Sequence, residues 1–376
     1  MLSENHLNFL MCLSSYLDQD KIKTEQDLGA CASILDCDDY RQTYLKARWL
    51  MSNGAETGDS TKINQALFEV KRALDLKVYD NKFDLDDIPN NLVSFIDPRA
   101  IFNFDIPLGR IYFLGGQIAA MMDDYEKSLE YYQQFHFKTF SPSFNAQHQR
   151  LFLFRSCSEY TFKDLINNRL SLVKPTRLND PFDCLVFPWR EQLQDRCEEK
   201  KHVAPLTKSY DYYRIRSFVL GNNAKPIHKD SVTNMLMWSH YADEHRGICL
   251  QYDFSENILQ NNDVRQSRFM VVRYAKKKDN INVDQNHIRV HEGFATKSSD
   301  WKYEKEVRLV SYDISSKDDF TYLDLDVDSR IKAVFFGLRC SEDSIQSIKK
   351  IIGDDCGYYK MAKNYRNIYS LNVVPI

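Results

Sequence analysis

SPSFNAQHQR (residues 141–150) is a polar, proline-bearing stretch, and the hydrophobic rhythm of the chain changes across it. Ahead of it, residues 1–149 carry apolar positions at helical spacing. Beyond it, short apolar runs alternate with turn signals: LFLF (151–154), LSLV (170–173), RIRSFVL (214–220), GICLQYDF (247–254), RFMVVRYA (268–275), EVRLVSY (306–312), FTYLDLDV (320–327) and IKAVFFG (331–337). Several alternate apolar and polar residues, the pattern of half-buried antiparallel strands. At least two helices are expected among them. One spans 231–245, with Ser231 as N-cap and Gly247 beyond its end; the other spans 341–353, capped by Ser341 and stopped by Gly353. The reading is α+β: an all-α N-terminal domain over 1–149, then a mostly antiparallel α+β domain over 150–376.

Composition narrows the function classes. The formal charge of −3 supplies no global field toward nucleic acid or anionic membrane, so a nucleic acid could enter only as an acceptor at a local patch. With 22 Tyr and 23 Phe against 12 Gly, the chain favours packed cores over linkers. The 9 cysteines form no Cys-x-x-Cys pair, which fits reduced thiols in a cytoplasmic protein. The segment MLSENHLNFLMCLSSYL lacks a basic leader region, and no apolar run reaches the roughly 18 residues of a membrane helix, so no membrane association is expected.

In the N-terminal half, Leu108, Gly109 and Tyr112 are followed by Met121, Tyr125 and Ser128, and Ala66, Val70 and Ala73 repeat the later intervals. Small residues let two helices approach while aromatics fill the groove beside them. These spacings are similar to the tetratricopeptide pattern, although SNGAETGDST (52–61) interrupts the first hairpin. Such a repeat-like domain implies a scaffold or a concave face for a protein partner.

Three motifs in the second half could carry chemistry. In NDPFD (179–183), Pro181 pushes Asp180 out of the helical region, and the resulting turn can aim Asn179 or Asp183 into a pocket. In MWSHYADEHRGICL (237–250), Trp238, Tyr241 and His245 would share one helix face, with His240 or Tyr241 donating to a ligand. His240 and His245 are five apart, which does not suit a helical zinc pair, so no metal is expected. In WKYEKEVRLV (301–310), strand alternation would put Glu304, Glu306 and Arg308 on one face. Carboxylates about 7 Å apart repel one another unless a cation lies near.

The order of NDPFD, MWSHYA with its later H-x-G, and W-x-x-E-x-E-x-R resembles a widespread bacterial family described only as a domain of unknown function, over about residues 151–376. More distantly, Glu-x-Glu on a late strand is similar to the third motif of ADP-ribosyltransferase-like folds, which grip NAD. That resemblance implies a nucleotide-like ligand in the C-terminal domain. Arg155 would hold phosphate, and Ser217 would stand for the middle-strand serine of a Ser-Thr-Ser motif that here is only Arg-Ser-Phe. Trp238 or Tyr241 would stack on nicotinamide. Glu306 would stabilise the ribosyl cation, and Glu304 would activate the acceptor. Such a domain with a helical appendage suits a toxin or phage-defence effector. Two other classes remain: a non-catalytic sensing module with a helical relay, and a metal-dependent nuclease using Asp253 and Glu304.

Overall fold

The structure, a computed structural model, describes residues 40–78, 108–139, 144–180, 183–184, 205, 208–255, 258–259, 265–275, 294–326, 328–365 and 370–376. It divides into two compact units, one within 1–139 and 190–210, the other within 140–189 and 211–376.

The first unit is helical. Helices α1 (Tyr40–Thr57) and α2 (Ser60–Val78) form one hairpin, and α3 (Leu108–Met121) and α4 (Tyr125–Thr139) form a second. Asp59 and Asp124 start α2 and α4, their carboxylates accepting from the backbone N–H of Thr61 at 3.0 Å and of Lys127 at 3.1 Å. Ala66, Val70 and Ala73 are fully buried, facing Ile111, Leu114 and Ile118 in one core. Within the second hairpin the helices approach closely at Gly115 and Gly116. A Cβ at either would lie 2.6 Å from the ring of Tyr131 or Tyr132, and Ser128 Oγ donates to the Gly116 carbonyl at 2.8 Å.

The second unit is α+β, built on a sheet of ten strands that is antiparallel apart from one parallel pair. Its main path runs β12 (Leu371–Pro375), β11 (Gly357–Lys363), β10 (Arg330–Phe336), β4 (Ile248–Asp253), β1 (Leu151–Arg155), β3 (Tyr213–Leu220), β2 (Arg169–Val173), β9 (Phe320–Asp324). From β3 a branch leads through β8 (Glu306–Asp313) to β5 (Arg265–Val271). β10 and β11 are parallel, joined by helix α7 (Glu342–Ile352), which Ser341 caps and Gly353 ends. A short parallel ribbon of β6 (Arg273–Ala275) and β7 (Thr296–Ser298) stands apart from the sheet.

Every residue of β8 is buried: β3 and β5 flank it, and Val307 and Leu309 join the apolar core. A strand buried on both faces admits charge only where a partner is built in, and that requirement shapes the site.

The helix expected over 231–245 is shorter. Residues 231–233 form a 3-10 turn, and α6 (Met235–Tyr241) is capped by Asn234 rather than Ser231, its side chain accepting from Leu236 N–H. After it, Asp243, Glu244 and His245 all take left-handed backbone, with φ of 47°, 50° and 69°. His245 therefore lies beyond the helix, yet its ring still stacks parallel to Trp238 with centroids 6.2 Å apart. The reversal closes onto Gly247, where a Cβ would stand 2.1 Å from the Arg155 carbonyl oxygen; at Gly337 it would stand 2.1 Å from that of His245. Both obstructions are backbone and cannot rotate away. Gly247→Ala should therefore destabilise the unit by about 2 kcal/mol or more, read as a lower denaturation midpoint with an unchanged slope.

Candidate functional site

The 3-10 helix 299–304 opens with the Ser298 side chain accepting from Asp300 N–H and closes on Lys305, which sits in left-handed backbone at φ 48°. Glu304 thus ends a helix while Glu306 begins β8, so the two acids do not share one strand face, contrary to the alternation. They meet on a cation instead. Lys297 of β7 is buried with Nζ 2.6 Å from Glu304 Oε2, 3.2 Å from Glu306 Oε2 and 3.4 Å from Asp183 Oδ2. Arg308, fully buried, forks onto Glu306 at 2.6 and 3.1 Å and reaches Asp183 Oδ2 at 2.7 Å. Its third edge is held by the Phe294 carbonyl at 2.9 Å.

Three carboxylates against two cations leave this cluster one net negative charge, provided that all five are ionised.

The two glutamates are driven in opposite directions. Burial raises Glu304 above the ordinary carboxylate value, opposed only in part by Lys297 and by the Tyr241 hydroxyl, which donates to Oε1 at 2.5 Å. Burial acts on Glu306 as well, but the Arg308 and Lys297 charges outweigh it and hold it down to about 2. The Ser217 hydroxyl adds a hydrogen bond to Glu306, and Tyr274 accepts from Glu306 N–H at 2.7 Å. Carboxylates pushed apart in this way are the usual mark of divided acid–base roles.

These groups open onto a cavity of about 280 Å3 whose wall includes Glu304, Glu306, Asp183, Asn179, Ser217 and Tyr241. The turn at 179–183 contributes as its motif suggested, with Asp183 N–H donating to the Asp180 carbonyl at 3.0 Å.

Other expected residues lie elsewhere. Arg155 does not line the cavity: Asp164 of α5 (Glu159–Ile166) takes its guanidinium at 2.6 Å, and the same carboxylate accepts from Ser171 Oγ at 2.7 Å. Trp238 is fully buried core, its indole N–H donating to the Val232 carbonyl at 2.7 Å and its ring edge-on to Phe154, so it has no face for a ligand. His240 is exposed beside Trp301 and Tyr303, its Nδ1 3.4 Å from the Tyr303 hydroxyl. Asp253 pairs with Lys332 at 3.3 Å and does not join Glu304 in the cavity.

Lys297, Trp301 and Arg216, none of them named as site residues from sequence, complete the wall. Lys297 Nζ lies 5.1 Å over the Trp301 ring, a cation–π contact that shields it from water. Arg216 donates to the Ser171 hydroxyl at 2.6 Å, and burial beside the Arg155 charge lowers its pKa to about 10, so it stays cationic at neutral pH. The signals available were thin: a lysine closing the apolar run FATK, and an arginine adjacent to Ser217.

Residues 237–309 match the model of a family described as a protein of unknown function (DUF2971). The matched segment runs from α6 into β8 and so contains Tyr241, Lys297, Glu304, Glu306 and Arg308. No curated protein and no solved structure matches the chain. Among the described residues, no helix is long and apolar enough to cross a membrane.

The opposed shifts make a stability prediction. Glu306 is depressed, so its contribution is present above its ordinary 4.5 and is lost as pH falls toward about 2. Glu306→Gln should cost about 3–5 kcal/mol, because it leaves buried Arg308 and Lys297 with one carboxylate fewer to balance them. Glu304 is raised, so its ionised form costs stability once pH exceeds its folded value. Glu304→Gln should leave the melting temperature unchanged or higher at neutral pH, since Lys297 keeps Glu306 and Asp183. Thermal melts of the wild type and both variants at pH 3, pH 5 and pH 8 test both.

Proposed function

We propose that the C-terminal unit binds NAD in this cavity and breaks its nicotinamide–ribose bond, passing ADP-ribose to water or to an acceptor. The observation that carries the reading is the pair of cavity carboxylates with opposite shifts. When the C1′–N bond breaks, its electron pair leaves with nicotinamide and positive charge develops on the ribose. The Glu304 and Glu306 carboxylates in the wall favour that charge. Glu306, ionised throughout, supplies the field. Glu304 accepts the proton of the attacking hydroxyl as oxygen bonds to C1′. The Trp301 and Tyr241 rings offer stacking faces, and Arg216 takes the anion-binding role that Arg155, held by Asp164, does not fill.

Two further parts of the reading are proposals of the same standing. The helical unit, with Phe68 of α2 63% exposed, engages a protein partner. The setting is that of a toxin or phage-defence effector.

Incubation of the full chain with NAD, followed by chromatography of nicotinamide, tests the reading. Release should be abolished or cut at least 100-fold in Glu304→Gln, within the roughly 100- to 10,000-fold range of positioned acid–base groups. Protection against heat by NAD with no nicotinamide released would instead indicate a sensing module, and no response to NAD would end both.

The acid limb of the rate profile should follow Glu304. Activity should rise with pH through a value above the ordinary carboxylate range, because the base works only when ionised. Tyr241→Phe removes a hydrogen bond that lowers this value, so the limb should move to higher pH. A limb left in place by Tyr241→Phe would remove Glu304 from the role.

A further inference from the structure

Cys157 follows β1 and Cys340 follows β10, 183 positions apart in sequence, yet their Sγ atoms are 4.0 Å apart. Their strands do not pair. β4 lies between them, with Ile248 opposite both Arg155 and Phe336, so the strand ends are separated by about 10 Å of sheet. The thiols meet because the edge of β4 carries no side chain at Gly247. The Arg155 carbonyl closes over that glycine from one side, and Gly337 donates its N–H to the Gly247 carbonyl from the other at 2.9 Å. A disulfide needs about 2 Å between sulfurs, so closure requires the two Sγ atoms to approach by about 2 Å.

The two thiols differ in access and character. Cys157 is half-buried, whereas Cys340 is 5% exposed. Donation from the Cys340 thiol draws Cys157 below the ordinary thiol value, aided by Ser344 and opposed by burial and by Asp243. The same contact raises Cys340. Burial pushes Cys184 and Cys249 up, and Cys356 up to about 11. Among the described cysteines, the attacking thiol is therefore Cys157 and the resolving thiol is Cys340.

We propose that Cys157 and Cys340 form a peroxide-sensitive pair that closes to a disulfide tying the end of β1 to the end of β10. The Cys157 thiolate attacks one oxygen of hydrogen peroxide, the O–O bond breaks, and the departing hydroxide takes a proton to become water. The sulfenic acid left on Cys157 is attacked by the Cys340 sulfur. Its hydroxyl leaves with the Cys340 proton as a second water, and the S–S bond forms. Two thiols are oxidised while one peroxide is reduced to two waters. This chemistry is independent of the NAD reading.

The test uses the full-length chain, reduced and then exposed to a few equivalents of hydrogen peroxide, with remaining thiols alkylated before non-reducing digestion and mass spectrometry. The expected product is one linked pair of peptides containing Cys157 and Cys340, lighter by two hydrogens than their sum and separated by dithiothreitol. The linked form should also melt at a higher temperature than the reduced form. In Cys340→Ser the link should be replaced by a dimedone adduct on Cys157. Alkylation of Cys157 undiminished after peroxide treatment would overturn the proposal, as would a link from Cys340 to Cys356 or oxidation that stops at a Cys157 sulfinic acid in the wild type. The wild-type peptide map decides the question even if the variant does not fold.

Discussion

A lysine ammonium buried among three carboxylates is the constraint from which the C-terminal unit follows. Lys297 contacts Asp183, Glu304 and Glu306, which come from a turn, the end of a 3-10 helix and the start of a strand. None of those acids could be buried alone, since an isolated charge in a low-dielectric interior costs several kcal/mol. Together with Arg308 they form a network in which every ionised group meets an opposite charge. The wall of the cavity is thus fixed electrostatically as well as by packing. Segments distant in sequence cannot separate without exposing an unbalanced charge.

The network does not treat its members equally. Glu306 lies between two cations and has no freedom to take a proton near neutral pH. Glu304 has one cation and one hydroxyl, and burial prevails. Two identical side chains two positions apart thereby become different chemical groups. The left-handed Lys305 between them is the local cause, because it turns Glu304 out of the strand direction that Glu306 adopts. An unbroken strand would have put both acids against Arg308.

Much of the fold was legible in the sequence. The eight apolar runs after residue 150 all fall on strands, and the helix capped by Ser341 ends at Gly353 as its terminal residues require. Strands β11 and β12 were not read, because YYKMAK and LNVVP are half exposed and lack a sustained alternation. At the site, Asp183, Glu304, Glu306, Ser217 and Tyr241 line one cavity. Lys297 escaped because a buried lysine is defined by distant acids and not by its own neighbours. Arg155 and Trp238 were misplaced for a related reason: Asp164 and the Val232 carbonyl satisfy them, and no local pattern reveals a partner already engaged.

The short ribbon of β6 and β7 has a bearing on control. Its register sets Tyr274 opposite Lys297, and both point their polar ends at the same acids: Lys297 at Glu304 and Glu306, and Tyr274 at the N–H that opens β8. Among the described residues the ribbon pairs as strands only with itself, so what fastens it to the sheet is the Lys297 charge and the Tyr274 hydroxyl. The ammonium holds the ribbon only while Glu304 and Glu306 carry their charges. The docking of the ribbon and the ionised state of the carboxyl at 304 are therefore two sides of one equilibrium.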